Sequence, residues 1–329
     1  MASKQDILIL GAGISGLVAG ATLREAGHRV ILLEKSRGPG GRMATRRFGG
    51  GVFDHGAQFF TVQEPIFKNL VNKWEQAGVV KEWTYVFPSP NSLPSSSSNP
   101  RYQGVKGMTS AAKYLARDLD VQLNTRITSI STDGYQWTAI TGDNRQFSGN
   151  GLILTPPVPQ SLALLKAGGI NLPAKESHSL EALQYDPCIA LLAILDGRSA
   201  IPAPGGVQLE SGPLRWLADN TQKGISPNQI ALTLHASREY SRRNFETTPQ
   251  LIADYLLSQA SPWLSGSILD WQVHRWRYSQ PVHSYPERYL KVPEWLPLYF
   301  AGDAFGGPRV EGAVLSGLAA AEAMMENHD

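Results

Sequence analysis

The chain has 329 residues, of which 42% are hydrophobic and 18% are charged, a composition typical of globular proteins. A formal net charge of +2 and a pI near 8.6 argue against the concentrated basic surface of a nucleic-acid-binding protein. No apolar run is long enough to cross a membrane, and Cys188 is the only cysteine, which argues against a disulfide framework or a thiolate metal site. We therefore expect a cytoplasmic protein with a large core, no metal and no nucleic-acid or membrane partner.

The first thirty-odd residues predict a strand, a helix and a second strand. Residues 6–10 form an apolar run that ends at a glycine, which is typical of a buried parallel strand. Residues 14–26 carry apolar side chains at helical spacing, and Gly27 closes them. Residues 29–33 are β-branched and leucine-rich. This length and order indicate a βαβ unit.

The turn between the first strand and the helix fits the pattern G-x-G-x-x-G through Gly11, Gly13 and Gly16. The first glycine permits a tight turn, the second lets the backbone approach a pyrophosphate, and the third lets the helix pack closely on the strand. The helix N-terminus then offers N–H groups and partial positive charge to phosphates. Glu34 ends the second strand, where its carboxylate accepts from a ribose hydroxyl. The sequence therefore predicts a bound dinucleotide.

Three further features favour FAD over NAD. Gly40, Gly41 and Arg42 follow the acidic residue closely and place bare backbone and a guanidinium where a long cofactor passes. Near the C-terminus, "FAGD" ends a strand; Asp303 is suited to a polyol chain, and a helix starting near Val310 directs its positive end at an electron-accepting ring. No second G-x-G-x-x-G is present for a separate NAD(P)H module. We predict resident, non-covalently bound FAD.

The rest of the chain predicts an α/β fold with a discontinuous Rossmann-type domain. Residues 88–100 are rich in Ser and Pro and predict a surface loop, residues 111–119 a helix, and residues 121–130, 135–140 and 151–154 strands. A strand, a glycine turn and a nearly all-apolar, buried helix close the chain. We assign residues 1–60, 101–158 and 296–329 to the FAD-binding domain, and residues 61–100 and 159–295 to an inserted mixed α+β substrate domain.

Six stretches of the chain resemble the renalase family, which lies within the FAD-dependent amine oxidase superfamily. They are "GGRM" after Glu34, "FDHGAQFF", "YQGVKGM", "LRWLADNTQKG", "HRWRYSQP" and "AGDAF…RVEGAVLSGLAAA". The resemblance runs from end to end, and "DHGAQFF" and "HRWRY" are its more specific parts. It implies a p-hydroxybenzoate-hydroxylase-like fold.

The resemblance also implies an activity. Renalases are understood to oxidise the 2- and 6-dihydro isomers of NAD(P)H to NAD(P)+, with electrons passing through FAD to O2 to give hydrogen peroxide. Hydride loss from a dihydropyridine gives an aromatic cation directly, so that step needs no general base. The sequence agrees, because it contains no Ser-His-Asp order, HExxH or paired-carboxylate motif that demands another chemistry.

The candidate site residues fall into two groups. Gln58 resembles the family position beside the isoalloxazine, and with His235, Trp276 and Tyr278 of the inserted domain it forms the predicted catalytic set. Ile127 is placed beside adenine by resemblance to the superfamily. The predicted cofactor-binding residues are Gly11, Ala12, Gly13, Ile14, Ser15, Gly16, Glu34, Lys35, Gly41, Arg42, Met43, Gly56, Ala57, Gln58, Ile127, Gly302, Asp303, Arg309 and Val310.

Several alternatives stay open at this point. Core or surface packing is at least as good an account of the inserted-domain residues, and Phe59 and Phe60 suit a core as well as a nicotinamide site. A basic cluster of Arg238, Arg242 and Arg243 suits a solvated helical face better than a phosphate site. For the whole protein, a flavin amine oxidase, an FAD-dependent desaturase and a non-catalytic flavin carrier are the competing functions. The sequence indicates no oligomeric state.

Overall fold

A computed structural model describes residues 6–89, 99–293 and 296–326. Most of the predicted Ser- and Pro-rich loop, residues 90–98, lies outside the described residues. Among the helices that are described, none has the length and apolar character needed to cross a bilayer.

The described strands and helices follow one another in mixed order along the chain. The strands are β1 (Asp6–Leu10), β2 (Arg29–Leu33), β3 (Thr45–Phe48), β4 (Gly51–Asp54), β5 (Val80–Thr84), β6 (Arg101–Gly104), β7 (Asp120–Gln122), β8 (Ile127–Thr132), β9 (Trp137–Thr141), β10 (Gln146–Gly149), β11 (Gly151–Leu154), β12 (Tyr185–Leu195), β13 (Gly206–Gln208), β14 (Leu214–Asp219), β15 (Ile230–Ala236), β16 (Ile268–Pro281), β17 (Leu290–Lys291) and β18 (Leu298–Phe300). The helices are α1 (Ile14–Glu25), α2 (Pro65–Gln76), α3 (Thr109–Leu115), α4 (Val158–Ala167), α5 (Ala174–Glu181), α6 (Arg238–Arg243), α7 (Pro249–Ala260) and α8 (Arg309–Glu326).

The chain forms two compact units, each assembled from separate segments. Unit 1 comprises Met1–Gly41, Ala112–Gln184 and Gln280–Asp329, and unit 2 comprises Arg42–Ala111 and Tyr185–Ser279. The first segment of unit 1 thus ends at Gly41, whereas the first segment of the predicted FAD-binding domain ends at residue 60. The reason is the β3–β4 hairpin, whose Val52 and Asp54 amides donate to side chains of unit 2, Ser226 and Asn220.

Unit 1 is built on a six-stranded sheet in the order β17-β18-β11-β1-β2-β7. All pairs are parallel except β17–β18. The predicted strands at 6–10, 29–33 and 151–154 are confirmed residue for residue. Helices α1 and α8 pack against each other beside this sheet. The contact is so close that the backbone of Ser15 leaves no room for a side chain at Gly317. The predicted buried C-terminal helix is confirmed.

The predicted strand over residues 121–130 is wrong. Two strands occupy the region: β7 is an edge of the six-stranded sheet, and β8 belongs to a three-stranded antiparallel sheet in the order β10-β9-β8. Asn124 has a positive φ of 52° between them, a conformation that interrupts an extended strand. The predicted helix over 111–119 is also displaced, because α3 begins at Thr109 and gives way to a short 3₁₀ turn at Ala116–Asp118.

Unit 2 is built on a five-stranded sheet in the order β13-β14-β15-β12-β16. Leu217, Leu232 and Leu234 turn to one face and join a fully buried core with α7. Because side chains alternate along a strand, Trp216 and His235, which pair across β14 and β15, lie on the opposite face. That face therefore carries a candidate catalytic residue.

Candidate functional site

The glycine turn at the start of unit 1 has the geometry that its spacing predicts. Gly11 has a φ of +90°, which favours glycine, and its amide donates to the Leu33 carbonyl at 2.9 Å. A Cβ at Gly16 would lie 2.2 Å from the Gly11 carbonyl oxygen, so the helix backbone touches the turn directly. These two glycines are therefore required by the protein's own packing.

Gly13 differs from its two neighbours in the motif. No protein atom lies within 4 Å of the position of a Cβ there, and its φ of −72° is open to any residue. It is the N-cap of α1, and no side chain caps that helix. The Ser15 hydroxyl, in the first turn, is buried and has no hydrogen-bond partner in the part of the chain that the structure describes. Bare backbone, an uncapped helix end and an unpaired hydroxyl fit a pyrophosphate.

Glu34 is 6% exposed and its carboxylate is held by backbone amides. Ala12 N donates to Oε2 at 2.9 Å and Ser36 N donates to Oε1 at 2.8 Å. A carboxylate has about four acceptor sites, so two remain for ribose hydroxyls. Glu34 thus ties the glycine turn to the end of β2 and keeps its predicted binding capacity.

The second glycine pair contacts the first. Gly40 N donates to Ala12 O at 2.8 Å, and Gly13 and Gly40 form an isolated parallel bridge. Gly41 has a φ of +53°, and a Cβ there would lie 3.4 Å from Gly13 Cα. The structure therefore brings both predicted glycine sequences to one place in unit 1.

Thr155, just past the end of β11, joins this site and was missed by sequence reasoning. Its hydroxyl donates to Leu10 O at 2.6 Å, and its carbonyl oxygen lies 3.5 Å from the Cβ position of Gly302. Gly302 N in turn donates to the buried hydroxyl of Ser316 on α8. The signal in the sequence was a small polar residue after a buried strand, which is too common to identify a role.

The remaining candidates of unit 1 surround these groups to different degrees. Asp303 is 8% exposed directly after Gly302, and Arg309 begins α8 with a positive φ of 85°, a strained conformation for a residue with a side chain. Val310 is buried behind it. Ile127 begins β8 two residues after Thr125, whose amide donates to Glu34 O. The Lys35 ammonium donates to Gln160 Oε1 at 3.2 Å.

Arg42, Met43, Gly56 and Ala57 belong to unit 2. Ala57 N donates to Arg42 O at 2.8 Å, and a Cβ at Gly56 would lie 2.0 Å from that same oxygen. The Arg42 guanidinium donates to Ser279 O at 3.2 Å, and Met43 is 3% exposed. These residues lie in two short segments that are joined by the hydrogen bond from Ala57 N to Arg42 O. Their contacts with FAD stay a prediction.

Gln58 is 6% exposed and its amide orientation is set by two carbonyls. Nε2 donates to Asp54 O at 2.6 Å and to Gly56 O at 3.1 Å. The carbonyl oxygen Oε1 is therefore left as a buried acceptor with no partner among the described residues. An unpaired acceptor of this kind is suited to a donor on a bound ligand.

A buried ion pair supports the turn that carries Gln58. Lys223 Nζ donates to Asp54 Oδ2 and to Gln58 O, both at 2.6 Å, and the side chains of Lys223 and Asp54 are 0% exposed. Thr45 Oγ1 and Met108 N donate to the other oxygen, Oδ1. Sequence reasoning missed Lys223, because a lysine before a glycine in "TQKG" is typical of an exposed turn.

Four rings on unit 2 form what we call the histidine cluster: His55, His235, His274 and Trp276. His235 Nε2 donates to His55 O at 3.2 Å, and Trp276 Nε1 donates to the same oxygen at 2.8 Å. The His274 ring lies 4.7 Å from the His55 ring and 4.4 Å from that of Trp276. Of the predicted catalytic residues, His235 and Trp276 are thus brought together, while Tyr278 packs on Tyr185 at 5.7 Å.

The histidines of this cluster are held uncharged. Burial lowers the pKa of His55 to about 3 and the pKa values of His235 and His274 to about 4. Nearby positive charge acts in the same direction, from Arg46 on His55 and His274 and from Lys223 on His235. At neutral pH the cluster therefore offers rings and fixed N–H donors, without a group that titrates near pH 7.

Two open alternatives are resolved within unit 2. Phe60 is 3% exposed and packs on Phe67, Trp74 and Tyr102, so it belongs to the core. Arg238 and Arg242 both form ion pairs with the buried carboxylate of Asp186. Arg243 pairs with Glu239 on the exposed face of α6. Each arginine of the basic cluster is therefore ion-paired, which agrees with a helical face and not with a phosphate site.

Models of known families match most of the chain. Residues 9–74 match the NAD(P)-binding Rossmann-like domain, and residues 83–325 match the flavin containing amine oxidoreductase family. Curated relatives align over shorter stretches: a putative L-amino-acid oxidase, YobN, of Bacillus subtilis is 56% identical over 43 residues, 13% of this chain and 9% of that protein. A 4,4'-diapophytoene desaturase of Staphylococcus haemolyticus is 33% identical over 84 residues, 25% of this chain and 17% of that protein.

Solved structures share the fold over almost the whole chain. A putative protoporphyrinogen oxidase from Exiguobacterium sp. 255-15 has a TM-score of 0.76 at 13% identity and covers 99% of this chain and 100% of its own. A putrescine oxidase bound to putrescine has a TM-score of 0.74 at 16% identity, with 98% and 99% covered. The predicted α/β fold with a Rossmann-type domain is confirmed. The chain belongs to the flavin containing amine oxidoreductase family, and FAD is its cofactor.

Proposed function

We propose that this flavin-dependent oxidoreductase is an oxidase of the 2- and 6-dihydro isomers of NAD(P)H. The net reaction is dihydronicotinamide plus O2 and one proton, giving the nicotinamide cation and hydrogen peroxide. FAD supplies the hydride-accepting chemistry when it is bound. The protein's own residues orient the donor ring and exclude water.

The protonation state of the histidine cluster is the observation that favours this substrate. His55, His235 and His274 have pKa values of about 3 to 4, so they are weak bases, and Asp54 is occupied by Lys223. A general base works best with a pKa near the operating pH. A dihydropyridine loses hydride without losing a proton, so it is served by a site that holds fixed donors and no such base.

Gln58 has a specific part in this proposal. Its unpaired Oε1 accepts from the carboxamide N–H of the nicotinamide, while its Nε2 stays on the Asp54 and Gly56 carbonyls. His235 and Trp276 are fixed by their shared bond to His55 O and bound the space for the donor ring. We propose that FAD lies on the glycine turns of unit 1, with Glu34 on the ribose.

An amine or amino-acid oxidase is the second candidate, because relatives with those names share part of the sequence. An amine is oxidised as the neutral form, so its rate rises with pH as the ammonium loses its proton. The dihydronicotinamide isomers carry no such proton. The pH profile of flavin reduction therefore separates the two candidates.

The test is anaerobic reduction of the FAD-loaded protein, followed at the flavin absorbance band. The isomer mixture made by chemical reduction of NAD+ should bleach the flavin at a rate that is flat between about pH 6 and 8, and air should restore the colour with hydrogen peroxide. Ordinary 4-dihydro NADH and a panel of amines run in parallel. Bleaching by an amine alone, or by none of these donors, would reject the proposal.

A pair of variants sharpens the test. Gln58→Met removes the proposed acceptor and should slow bleaching by the isomers about fivefold, the worth of one neutral hydrogen bond. Gln250→Met is the control, because Gln250 is exposed on α7 and bonds only to Asp254 within the described residues. Equal rates for both variants would remove Gln58 from the substrate site.

A further inference from the structure

Two buried donors on unit 2 have no acceptor. Arg101 Nη1 and Trp216 Nε1 are both without a hydrogen-bond partner among the described residues. Both residues contact Phe59 and Phe87. The guanidinium carbon of Arg101 lies 5.7 Å from the centre of the Phe59 ring and 5.2 Å from that of Phe87. The centre of the Trp216 ring lies 5.7 Å from that of Phe59 and 4.7 Å from that of Phe87. The donors therefore adjoin one aromatic cluster, which we define as Phe59, Trp83, Phe87 and Trp216.

Arg101 lies over the Phe59 and Phe87 rings, with no carboxylate paired to it among the described residues. Burial lowers the pKa of Arg101, and no carboxylate opposes that shift. No ion pair of Arg101 is found among the described residues, in contrast to Arg238 and Arg242, which share Asp186. A guanidinium with a buried, unpartnered Nη1 and an indole with a buried, unpartnered N–H are both costly, and a ligand that accepts from both recovers that cost.

The position of these donors links them to the candidate substrate residues. Trp216 pairs with His235 across β14 and β15, on the sheet face away from the leucine core. Phe59 directly follows Gln58, whose Oε1 is a buried unpaired acceptor. The aromatic cluster thus connects the two unpaired donors to Gln58 through the next residue in the chain, Phe59, and to His235 through Trp216.

We propose that Arg101 and Trp216 form an anion-binding point that holds an oxyanion group of the substrate, with the aromatic cluster against its apolar part. The guanidinium fork suits phosphate or carboxylate oxygens, and the indole N–H adds a directed donor. This inference rests on the proposed function for its preferred source, a phosphate of the dihydronicotinamide nucleotide. A carboxylate, as in an amino acid, has the same chemistry, and the experiment separates the two.

Three variants of the FAD-loaded protein test the point. Arg101→Gln keeps hydrogen-bond donors but removes the charge, Arg101→Lys keeps the charge without the fork, and Trp216→Phe keeps a ring without the N–H. Arg215→Gln is the matched control, because Arg215 is the exposed neighbour of Trp216 and, within the described ranges, its side chain donates only to the Leu209 and Glu210 carbonyls. Thermal unfolding of each variant is measured first, and Arg101→Lys is used for the binding comparison if Arg101→Gln does not fold.

Binding is measured directly, by tryptophan fluorescence and by the flavin spectrum. The probes are NAD+, inorganic pyrophosphate, benzoate and uncharged nicotinamide. We expect Arg101→Gln to weaken NAD+ and pyrophosphate about 10- to 100-fold, which corresponds to about 1.4–2.8 kcal/mol. Trp216→Phe should weaken them a few-fold, and nicotinamide and the Arg215→Gln control should be unchanged.

The kinetic arm uses the isomers of dihydro-NAD beside those of an N-methyl dihydronicotinamide, which has no phosphate. Arg101→Gln should lower kcat/KM for the nucleotide alone. Loss of benzoate and amino-acid binding with phosphate binding intact would assign the point to a carboxylate and reject the phosphate source.

Two outcomes would overturn the inference: equal loss for charged and uncharged ligands, or no binding of any anion to the wild type. Its failure is distinguishable from that of the proposed function. If anions bind through Arg101 but no isomer bleaches the flavin, the anion-binding point is supported and only the proposed oxidase reaction is rejected. If the isomers bleach the flavin at a rate that does not depend on Arg101, the proposed reaction is supported and the anion-binding point is rejected.

Discussion

The glycine turn of unit 1 and the histidine cluster of unit 2 are candidate ligand sites of opposite construction. The turn consists of backbone: its packing excludes side chains at Gly11 and Gly16, and Gly13 leaves open space beside it. The histidine cluster uses side chains that hold one another in place, through the bonds of His235 and Trp276 to His55 O. A backbone site therefore tolerates wide change around a fixed spacing, whereas a side-chain site depends on a supporting network.

The supporting network of unit 2 is itself buried and charged. Lys223 and Asp54 lie at 2.6 Å with both side chains 0% exposed, and Lys223 also lies 4.7 Å from the centre of the Trp83 ring. Unit 1 has hydrogen bonds from backbone amides to Glu34 in the equivalent role. The comparison predicts that single substitutions damage unit 2 most at its ion pair and unit 1 most at a close backbone contact.

The largest effect is expected at the ion pair. Lys223→Met leaves the Asp54 carboxylate and the Gln58 carbonyl buried without their donor, so the free energy of unfolding should fall by about 3–5 kcal/mol. Urea denaturation followed by tryptophan fluorescence measures it. Arg243→Met is the control, because its ion pair with Glu239 has side chains 75% and 72% exposed and should contribute little. Equal denaturation midpoints for Lys223→Met and wild type would mean that the pair contributes nothing net.

Two glycine-to-alanine substitutions in the glycine turn distinguish a packing role from a cofactor-binding role. Gly16→Ala places a methyl group 2.2 Å from Gly11 O and should lower the free energy of unfolding of the FAD-free protein by about 1–3 kcal/mol. Gly13→Ala meets no protein atom within 4 Å and should leave that stability unchanged. It should instead weaken FAD binding about tenfold or more, at least 1.4 kcal/mol, because the methyl group occupies the approach to the pyrophosphate.

FAD content from absorbance and urea denaturation of the FAD-free protein give the two measurements independently. A Gly13→Ala protein that retains FAD as tightly as the wild type would show that the pyrophosphate does not approach this backbone. A Gly16→Ala protein of unchanged stability would contradict the close contact between α1 and the turn.

The same contrast explains what could be read from the sequence. The strands around the glycine turn were predicted residue for residue, because their apolar runs and the glycine spacing are local and each has one structural solution. The interruption at Asn124 was missed, since an asparagine within a β-rich run gives only a weak signal of a positive φ. Local patterns therefore sufficed for the strands that flank the glycine turn.

The network of unit 2 was out of reach for a different reason. Lys223 is 169 residues from its partner Asp54, and His235 is 180 residues from the His55 carbonyl that it contacts. Each of these residue types is common on surfaces, and nothing in its immediate neighbours distinguishes it. His235 and Trp276 are candidates from the sequence as residues of the predicted inserted domain, and only tertiary structure brings them to one oxygen.

The effect expected to be smallest at neutral pH is at His235; it grows only as the pH falls, and it distinguishes the histidine cluster from the glycine turn. In the folded protein the pKa of His235 is about 4, against 6.5 for an ordinary histidine. Above pH 6.5 neither state holds the proton, so His235 contributes no pH dependence there. As the pH falls from 6.5 towards 4, the unfolded chain takes up a proton that the folded protein excludes, and unfolding is favoured.

His235→Asn should therefore flatten the decline of stability between about pH 6.5 and 4, as measured by urea midpoints across that range. His55 and His274 have similarly lowered pKa values and retain part of the slope in this variant. His178→Asn is the control, since His178 is exposed on α5 and should leave the slope as it is. A slope unchanged in His235→Asn would mean that His235 protonates as easily when folded as when unfolded. The cluster would then carry a titratable base at neutral pH, which would favour an amine over a hydride donor as the substrate.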